Sequence, residues 1–387
     1  MTERICLITE TGGYGGSEIH TSTLVRFLNA RGIAVELISC RNDVYDDLLP
    51  GDGMATLTKT SLSTGSCEPD ELRRWRGLLE GVGCRTVLLV KGWWKMGSLP
   101  FLKELRESFQ RVVFVEHALP EPMPQRSSRR FLGVIPGLGL WWYRMRRQRG
   151  LRYRYADLVV AVSGAVAGQL TGHGYCPPEK VRVVTNGIDC RRYRHDAVQR
   201  KLLRSRYRVG EGQTLFGMVT RFDEMKGVDL AIGAFHRVLS ETDAVLLLVG
   251  SGKLEESLKE MVRELGLTER VIFAGQQREV WPFYSAFDVF LMPSINEAIG
   301  LSLLEAMAAE CLPVVSSAGE MPSVVEGIGQ VVHVEALREE LAPAMIEASR
   351  LEEGLREERR RLAKERVFER YNMEHSYAAF ASLVASL

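Results

Sequence analysis

The chain has 387 residues, of which 45% are hydrophobic and 26% are charged, and its formal net charge is +1. This composition is ordinary for a soluble globular protein, the length predicts two domains, and the near-neutral charge argues against a nucleic-acid partner. The seven cysteines are scattered, odd in number and without a C-x-x-C pair. They argue against a disulfide framework or a zinc site and favour a reducing compartment.

The first residues of the chain predict a buried strand. Residues 5–8 form an apolar run that is too short for the core of a signal peptide and that follows the acidic Glu3. No stretch of the sequence reaches the roughly 18 apolar residues that a membrane span needs. We therefore expect a cytoplasmic protein.

The first half of the chain alternates short apolar runs with longer helical patterns, which is typical of parallel βαβ units. Helices are predicted at residues 18–30 and 70–80. The predicted strands are near-continuous apolar runs, as expected for a sheet that is covered on both faces. They are residues 5–8, 34–38, 86–90, 112–115 and 158–162.

The same pattern restarts in the second half. Two successive doubly wound α/β domains are the economical interpretation. Strands are predicted at 214–219, 244–249, 271–273, 289–292 and 312–316, and helices at 228–239, 253–265 and 301–310. A turn at residues 186–189, followed by a polar and basic stretch, marks the boundary. We predict a first domain over 1–185, a linker over 186–212, a second domain over 213–365 and a terminal helix over 366–387.

The most informative segment follows the predicted strand 289–292 and contains Glu297 and Glu305. Ligands of open α/β sheets bind at the carboxyl ends of the strands, and Gly300 can open a helix whose first turn offers N–H groups to an anion. Glu305 lies in a helix that is apolar on nearly every side, so its carboxylate needs buried donors, for which sugar hydroxyls are suitable. We expect the two carboxylates about 10 Å apart, the scale of a ribose and a hexose that flank a diphosphate. The alternative is a solvated Glu297 and a Glu305 that caps a backbone group.

Two cations follow the predicted strand 214–219. Arg221 and Lys226 are five residues apart, and Gly227 closes the loop. Arginine binds planar pairs of oxygens and lysine supplies a compact charge, so this spacing suits a diphosphate. The alternative is a solvated loop in which both cations pair with Asp223 and Glu224.

Three weaker candidates also follow predicted strands. Residues 11–18 cluster glycines that let the backbone approach a ligand, although they do not match the dinucleotide fingerprint. His117 follows strand 112–115 and is either a site residue or a structural histidine. Gly250 opens a G-x-G turn after strand 244–249, which is a weak signal for a nucleotide.

Together these segments resemble the retaining glycosyltransferases of family 4, which have the GT-B fold, two doubly wound Rossmann-like domains that face each other across a cleft. The resemblance covers nearly the whole chain and is strongest over residues 156–325. It is carried by Gly15-Gly16-Ser17-Glu18, His117, residues 156–163, Asn186-Gly187-Ile188-Asp189, Arg221 with Lys226-Gly227, and Glu297-x7-Glu305.

The resemblance implies a role for each matching position. Arg221 and Lys226 hold the donor diphosphate, Glu297 contacts the donor sugar and His117 faces the transferred sugar, which makes these four the candidate catalytic residues. Glu305 accepts hydrogen bonds from the ribose. The other implied donor contacts are Gly15 and Gly16 from the first domain, Gly250, Gly275 and Gln276 near the nucleotide, and the backbone of Ala298, Ile299, Gly300 and Leu301 beside the sugar. The terminal helix packs back on the first domain.

The implied reaction is retaining transfer of a hexosyl unit from a nucleotide sugar, with UDP as the default, to a glycan, lipid-linked or small-molecule acceptor. No D-x-D motif occurs, so no metal or other cofactor is expected. The alternatives are a GT-B sugar-nucleotide epimerase or phosphorylase and a non-catalytic sugar-nucleotide-binding protein. Two features depart from the family pattern: the stretch 275–288 is short, and Ile299 stands where an aromatic residue is frequent.

Residues 126–154 form a basic and aromatic segment. It holds nine arginines, no acidic residue and no lysine, and the adjacent Trp141 and Trp142. Arginines that flank an apolar stretch with tryptophans suit an anionic membrane surface. We hypothesise that the segment docks the protein on the inner face of the membrane, where it receives its acceptor. The alternative is an internal loop whose apolar residues are packed and whose arginines are solvated.

Overall fold

The computed structural model describes residues 4–10, 15–40, 44–49, 55–92, 96–120, 147 and 150–386. The chain divides into two compact units. One comprises Met1–Thr185 with Tyr377–Leu387, and the other is Asn186–Ser376. The predicted linker, residues 186–212, falls within the second unit.

The first unit contains a parallel sheet of seven strands in the order β3-β2-β1-β4-β5-β6-β7. Its strands are β1 (Arg4–Glu10), β2 (Ala34–Cys40), β3 (Ala55–Thr60), β4 (Thr86–Lys91), β5 (Arg111–Glu116), β6 (Leu158–Ala161) and β7 (Val181–Val183). The five strands predicted from apolar runs are all present. β3 and β7 were not predicted, because they lie at the two edges of the sheet and carry polar residues that remain partly exposed.

Helices cover the first sheet and connect its strands, as parallel crossovers require. They are α1 (Gly16–Ala30), α2 (Val44–Leu48), α3 (Pro69–Glu80), α4 (Leu99–Ser108) and α5 (Gly164–Gly172). A 3-10 helix, Arg152–Tyr155, precedes β6. The ring of Tyr377, near the C-terminus, lies 5.2 Å from that of His20 and 5.4 Å from that of Phe27, both on α1.

The second unit contains a parallel sheet of six strands in the order β10-β9-β8-β11-β12-β13. Its strands are β8 (Thr214–Val219), β9 (Ala244–Val249), β10 (Val271–Gly275), β11 (Val289–Met292), β12 (Leu312–Ser316) and β13 (Gln330–Val332). The five predicted strands are again present, and the unpredicted β13 is a short edge strand. The α/β prediction is therefore confirmed for both units.

The core of the second unit has two layers, one on each face of the sheet. Every residue of β9 is buried, and successive side chains enter opposite layers: Val245, Leu247 and Val249 in one, and Ala244, Leu246 and Leu248 in the other. A strand buried on both faces loses its polar alternation, which explains why β9 is a continuous apolar run. Each of the buried valine and leucine side chains stabilises the fold by roughly 1.5–3 kcal/mol.

The helices that cover this second sheet include the predicted ones, each shorter by one to three residues at its ends. They are α6 (Ala197–Arg206), α7 (Val228–Val238), α8 (Glu255–Glu264), α9 (Trp281–Ala286), α10 (Leu301–Ala308), α11 (Met321–Val325), α12 (Leu337–Ser349) and α13 (Glu353–Arg370). The last helix, α14 (Met373–Ala385), begins in the second unit and ends in the first. Within the described part of the chain, no helix is both long and apolar enough to cross a bilayer.

Candidate functional site

The order in which strands are added to the second sheet reverses between β8 and β11, which is its topological switch point. β9 and β10 lie on one side of this pair, and β12 and β13 lie on the other. Loops that leave the carboxyl ends of two such strands diverge and leave a crevice, which is where open α/β sheets bind ligands. The loop with Arg221 and Lys226 follows β8, and the loop with Glu297 follows β11. The two strongest sequence motifs therefore meet at the switch point of this sheet.

These two loops are fastened to each other. The Ile295 N–H donates to the Met225 carbonyl oxygen at 2.8 Å, and the Lys226 Nζ lies 2.7 Å from Glu297 Oε2. Gly227 has a φ of 63°, and a Cβ at this position would lie 2.3 Å from the Pro293 oxygen. Only glycine allows so close an approach, so the sequence of the first loop determines where the second loop packs.

The two cations of the β8 loop have different surroundings. Lys226 is part-buried and pairs with Glu297, so it does not form the predicted alternative pairs with Asp223 or Glu224. Arg221 is 62% exposed, and its guanidinium lies 3.4 Å from an Asp223 oxygen. A weak surface pair of this kind costs little to break, so Arg221 keeps most of its donors for a ligand.

Backbone geometry at the start of α10 shapes the other side of the crevice. Gly300 has a φ of 74°, and a Cβ there would lie 2.7 Å from the Met292 methyl group. Ala298 donates its N–H to Glu297 Oε1 at 3.2 Å, and its carbonyl accepts from the Glu320 N–H at 3.0 Å. Ile299 is buried in the core cluster, so its side chain packs into the interior.

Glu305 lies in the first turns of α10 with its side chain buried. Its Oε2 accepts a hydrogen bond from the Tyr284 hydroxyl at 2.6 Å. Burial raises the pKa of Glu305 to about 7, against the lowering effect of Tyr284, Tyr193 and Arg192. The alternative in which Glu305 caps a backbone group is not what the structure shows. Tyr284 had no sequence signal, because it lies on α9, 21 residues away along the chain.

The loops after β9 and β10 continue the same edge of the sheet. Gly250 has a φ of 140°, donates its N–H to the Gly275 carbonyl at 2.9 Å, and would place a Cβ 1.9 Å from the Thr220 oxygen. The Ser251 hydroxyl lies 3.3 Å from the Gln276 side-chain oxygen. Gly250, Gly275 and Gln276 therefore lie in two adjoining loops, next to the loop that carries Arg221.

The first sheet has its own switch point, between β1 and β4. Gly15 precedes α1 and Gly16 begins it, while residues 11–14 of the predicted glycine loop lie outside the described residues. The carboxylate of Glu18 turns back towards this start: it accepts from the Ser17 hydroxyl at 2.9 Å, and a Cβ on Gly15 would lie 3.1 Å from it. The helix start is therefore compact and built around small residues.

His117 follows β5, next to this switch point. Its N–H donates to the Lys91 carbonyl at 3.1 Å, and its ring meets the ring of His20 edge-on at 4.6 Å. Burial lowers the pKa of His117 to about 4. The imidazole is therefore neutral near pH 7 and can act as a hydrogen-bonding group, not as a cation.

A buried ion pair that the sequence did not predict lies beside His117. The Lys91 Nζ lies 2.6 Å from Glu116 Oε1, and neither side chain reaches solvent. Burial lowers the pKa of Lys91 and raises that of Glu116, while their mutual attraction opposes both shifts. The Tyr153 ring lies 5.1 Å from the Lys91 ammonium. Removing either charge would leave the other buried without a partner, which is costly in a low dielectric. The pair therefore holds the ends of β4 and β5 together.

Most of the basic segment 126–154 lies outside the described residues. At its end, Tyr153 is buried against Phe114 at 6.1 Å, Arg152 is half-buried and Arg154 is exposed. Among the described residues, no group of three His, Cys, Asp or Glu side chains is arranged to hold a metal ion.

Comparison with known proteins identifies the family. The model described as Glycosyltransferase Family 4 matches residues 14–192, and the one described as Glycosyl transferases group 1 matches residues 199–366. The chain belongs to the family 4 glycosyltransferases. The predicted family is thus confirmed, and the epimerase or phosphorylase alternative is not favoured.

Curated relatives are similar over part of their length. N-acetyl-alpha-D-glucosaminyl L-malate synthase of Bacillus anthracis is 32% identical over 44% of this chain and 44% of its own length. The putative colanic acid biosynthesis glycosyltransferase WcaL of Salmonella typhimurium is 30% identical over 61% of this chain and 58% of its own length. The aligned part thus spans less than two thirds of either relative.

Solved structures match the whole chain. Anabaena Alr3699/HepE, in complex with UDP and glucose, superposes with a TM-score of 0.79 at 18% identity and covers 100% of both chains. A glycosyltransferase of Rickettsia africae superposes with a TM-score of 0.78 at 16% identity, covering 99% of this chain and 97% of its own. At these identities the likeness concerns the fold, and it confirms the predicted GT-B class.

Proposed function

We propose that the protein transfers a hexosyl unit from a nucleotide sugar to an acceptor hydroxyl with retention of configuration. The observation that carries the proposal is the cluster at the β8–β11 switch point. Lys226 pairs there with Glu297, Arg221 lies in the same loop as Lys226, and α10 begins shortly after Glu297. A diphosphate, with a sugar attached, matches the charges and the directional donors of this cluster.

Catalysis in this proposal rests on charge stabilisation. The bond between the sugar anomeric carbon and the diphosphate oxygen breaks, and the electron pair leaves with the nucleoside diphosphate. Arg221, Lys226 and the N–H groups at the start of α10 stabilise that developing charge. The acceptor oxygen attacks from the same face, forms the new bond to the anomeric carbon and passes its proton to the leaving diphosphate oxygen. Because fixed cations carry the charge stabilisation, the proposed reaction needs no divalent metal.

The ion pair between Lys226 and Glu297 gives the donor two groups to engage at once. Lys226 is drawn to the diphosphate, and the Glu297 carboxylate is released to accept from sugar hydroxyls. The pair is part-buried at 2.7 Å, so each charge has a partner before the donor arrives. Pre-organisation of this kind lowers the cost of ordering the site on binding.

The proposed donor is a UDP-sugar. The Anabaena protein is described with UDP and glucose, whereas two mycobacterial relatives are named as GDP-mannose-dependent. Acceptors in the names of relatives include a malate and a phosphatidylinositol mannoside. The proposed acceptor is accordingly a small molecule, a glycan or a lipid-linked precursor.

A thermal-shift panel of UDP-, GDP- and ADP-sugars tests the proposal, because a ligand at about 100 times its Kd stabilises the folded state by about 2.7 kcal/mol. UDP-sugars are expected to raise Tm, and Arg221→Ala is expected to reduce that shift. Arg263→Ala is the control, because this arginine is similarly exposed and lies on α8 away from the loops. If no sugar nucleotide of any base raises Tm, the proposal fails.

We also propose that residues 126–154 contact an anionic membrane surface. Support comes from nine arginines without an acidic residue and from paired tryptophans. Co-sedimentation with vesicles is expected for anionic but not neutral lipid, and it should weaken with salt. It should also weaken when Arg144, Arg146 and Arg147 are changed to Ser. If the protein does not co-sediment with anionic vesicles at low salt, the docking role is refuted and the transferase proposal is unaffected.

A further inference from the structure

A second concave site lies at the amino-terminal edge of the second sheet. It is a cavity of about 390 Å³ beside Phe287, just before β11 begins. The candidate donor loops leave the carboxyl ends of β8 and β11, so the sheet itself separates the two sites. The cations that line the cavity are Arg200 on α6 and Arg360, Arg361 and Lys364 on α13.

Beneath the cavity, three arginines converge on one carboxylate. Arg200 lies 2.6 Å from Asp288, Arg204 lies 2.9 Å from it, and Arg360 lies 3.6 Å from it. Asp288 also accepts the Leu215 N–H at 2.8 Å. Burial alone would raise the pKa of Asp288, but Arg200, the Leu215 N–H and Arg204 hold it below its usual value. One negative charge thus faces three positive charges, which leaves this group with an excess of positive charge.

The three arginines differ in how fully their donors are used. Arg200 donates to the carbonyl of Ala286 at 2.9 Å as well as to Asp288. Arg204 donates to the carbonyls of Gly210 and Gln213 at 2.9 and 2.6 Å. These two guanidinium groups are fixed by their hydrogen bonds, and they attach α6 to the amino-terminal end of the sheet.

Arg360 is the exception. Its Nε is buried and has no hydrogen-bond partner among the described residues, and its contact with Asp288 is too long for a hydrogen bond. A guanidinium carries five N–H donors, and leaving them unpaired away from water is costly. Asp288 is already bonded to Arg200 and Arg204, so the Nε–H of Arg360 remains an unpaired donor, and the guanidinium that carries it lines the cavity.

The neighbouring groups suit a compact anion. Lys364 lies one helical turn from Arg360 and pairs with Glu310 at 2.7 Å. Arg361 pairs with Glu365 at 2.7 Å on the exposed side of α13. Burial lowers the pKa of His195, so this imidazole is neutral and can donate one N–H. Glu310 and Glu357 also line the cavity, which limits its net charge and disfavours a long polyanion.

We propose that this cavity binds a phosphate group, either as inorganic phosphate or as a phosphomonoester, at a site separate from the donor diphosphate. Arg360 supplies the directional donors, and Lys364 and Arg361 supply the surrounding charge. The volume falls within the range of small-ligand pockets and exceeds what a bare phosphate fills. Phe287 provides an apolar wall for the organic part of a monoester.

The test measures Tm against inorganic phosphate, with chloride added to keep the ionic strength constant. The Arg221→Ala, Lys226→Ala double variant is used so that phosphate bound at the donor loops does not contribute. A saturable rise in Tm is expected in this background. Arg360→Gln added to it should weaken the apparent affinity at least about tenfold, as for the loss of a charge-assisted hydrogen bond.

Two matched variants keep the result interpretable. Arg361→Gln removes a lining charge whose ion-pair partner is an exposed glutamate, so it should weaken binding without disturbing Asp288. Arg359→Gln makes the same charge change on the same helix outside the cavity lining and should leave binding unchanged. Glycerol 3-phosphate in a parallel titration separates the two sources: tighter binding than phosphate indicates a monoester, and equal binding indicates phosphate alone. The proposal is overturned if the double variant shows no saturable shift, or if Arg359→Gln weakens binding as much as Arg361→Gln.

Discussion

Glu305 is a carboxylate held in an apolar helix, where its charge is costly to the fold and useful to the proposed donor. Burial raises its pKa to about 7, so the folded state binds a proton more tightly than the unfolded chain does. The stabilisation from this proton is complete below about pH 4.5 and is lost as pH rises through about 7. Ionisation of Glu305 therefore lowers the stability of the fold but favours binding of the proposed donor.

Glu305→Gln separates these two effects. Relative to the wild type, the variant should gain unfolding free energy between pH 5 and pH 8, by up to about 3 kcal/mol, because its amide never ionises. Its affinity for the donor should fall about tenfold at pH 8, because an acceptor for the ribose hydroxyls is weakened. Urea unfolding at the two pH values and a donor titration measure both. A stability difference that does not change with pH would contradict the buried, titrating carboxylate.

Tyr284 orients Glu305 through the 2.6 Å hydrogen bond from its hydroxyl group. Tyr284→Phe should raise the pKa of Glu305 above about 7, since the ionised form loses a donor. The midpoint of donor binding against pH should then move upward, while binding at high pH changes little. Tyr207→Phe is the control, because that ring packs near α9 against Phe283. An unchanged pH midpoint in Tyr284→Phe would remove this residue from the site.

The loops after β8 and β11 pack directly against each other because Gly227 allows the two backbones to approach closely. Gly227→Ala should place a methyl group 2.3 Å from the Pro293 oxygen and separate Lys226 from Glu297. We expect a loss of about 1–3 kcal/mol in stability and a marked fall in kcat/KM. Gly266→Ala is the matched control, since Gly266 has a similar φ of 67° with no atom within 4 Å of the added carbon. If both variants keep equal activity, the contact between the loops does not position the site.

The elements also show what the sequence could predict. Buried strands such as β9 were predictable, because a short continuous apolar run rich in β-branched residues and leucine is typical of a strand covered on both faces. The edge strands β3, β7 and β13 escaped prediction, because β7 and β13 have only three residues each and β3 is partly exposed and lacks a continuous apolar run. The order of the strands, which places the Arg221 and Glu297 loops side by side, is set by the packing of the whole sheet and is seen only in the structure.

Contacts between distant side chains carried no sequence signal. Tyr284 bonds Glu305 across 21 residues, and Lys91 pairs with Glu116 across 25. Burial of both members of each pair depends on the packing of separate elements, which local periodicity does not encode. The carboxylate in an apolar helix was visible in the sequence, whereas the partner that satisfies it was not.

At the scale of the whole molecule, the two units each present groups at the switch point of a parallel sheet, as the GT-B fold predicts. The charge balance of the proposed reaction is met by Arg221 and Lys226, so transfer should proceed without a divalent cation. Turnover in excess chelator is expected to match turnover in untreated buffer. A complete loss of activity that Mg²⁺ or Mn²⁺ restores would show that the two cations do not suffice.

Arg221 is assigned to stabilise the charge on the leaving nucleoside diphosphate, and the turnover of Arg221→Ala tests this assignment. The rate of nucleoside diphosphate release is measured with the donor and acceptor that the wild type uses, beside the Arg263→Ala control. We expect kcat to fall at least about 100-fold in Arg221→Ala, as for the loss of a preorganised charge in the transition state, and the control to keep a near-normal rate. Near-normal turnover in Arg221→Ala would contradict the assignment of this site.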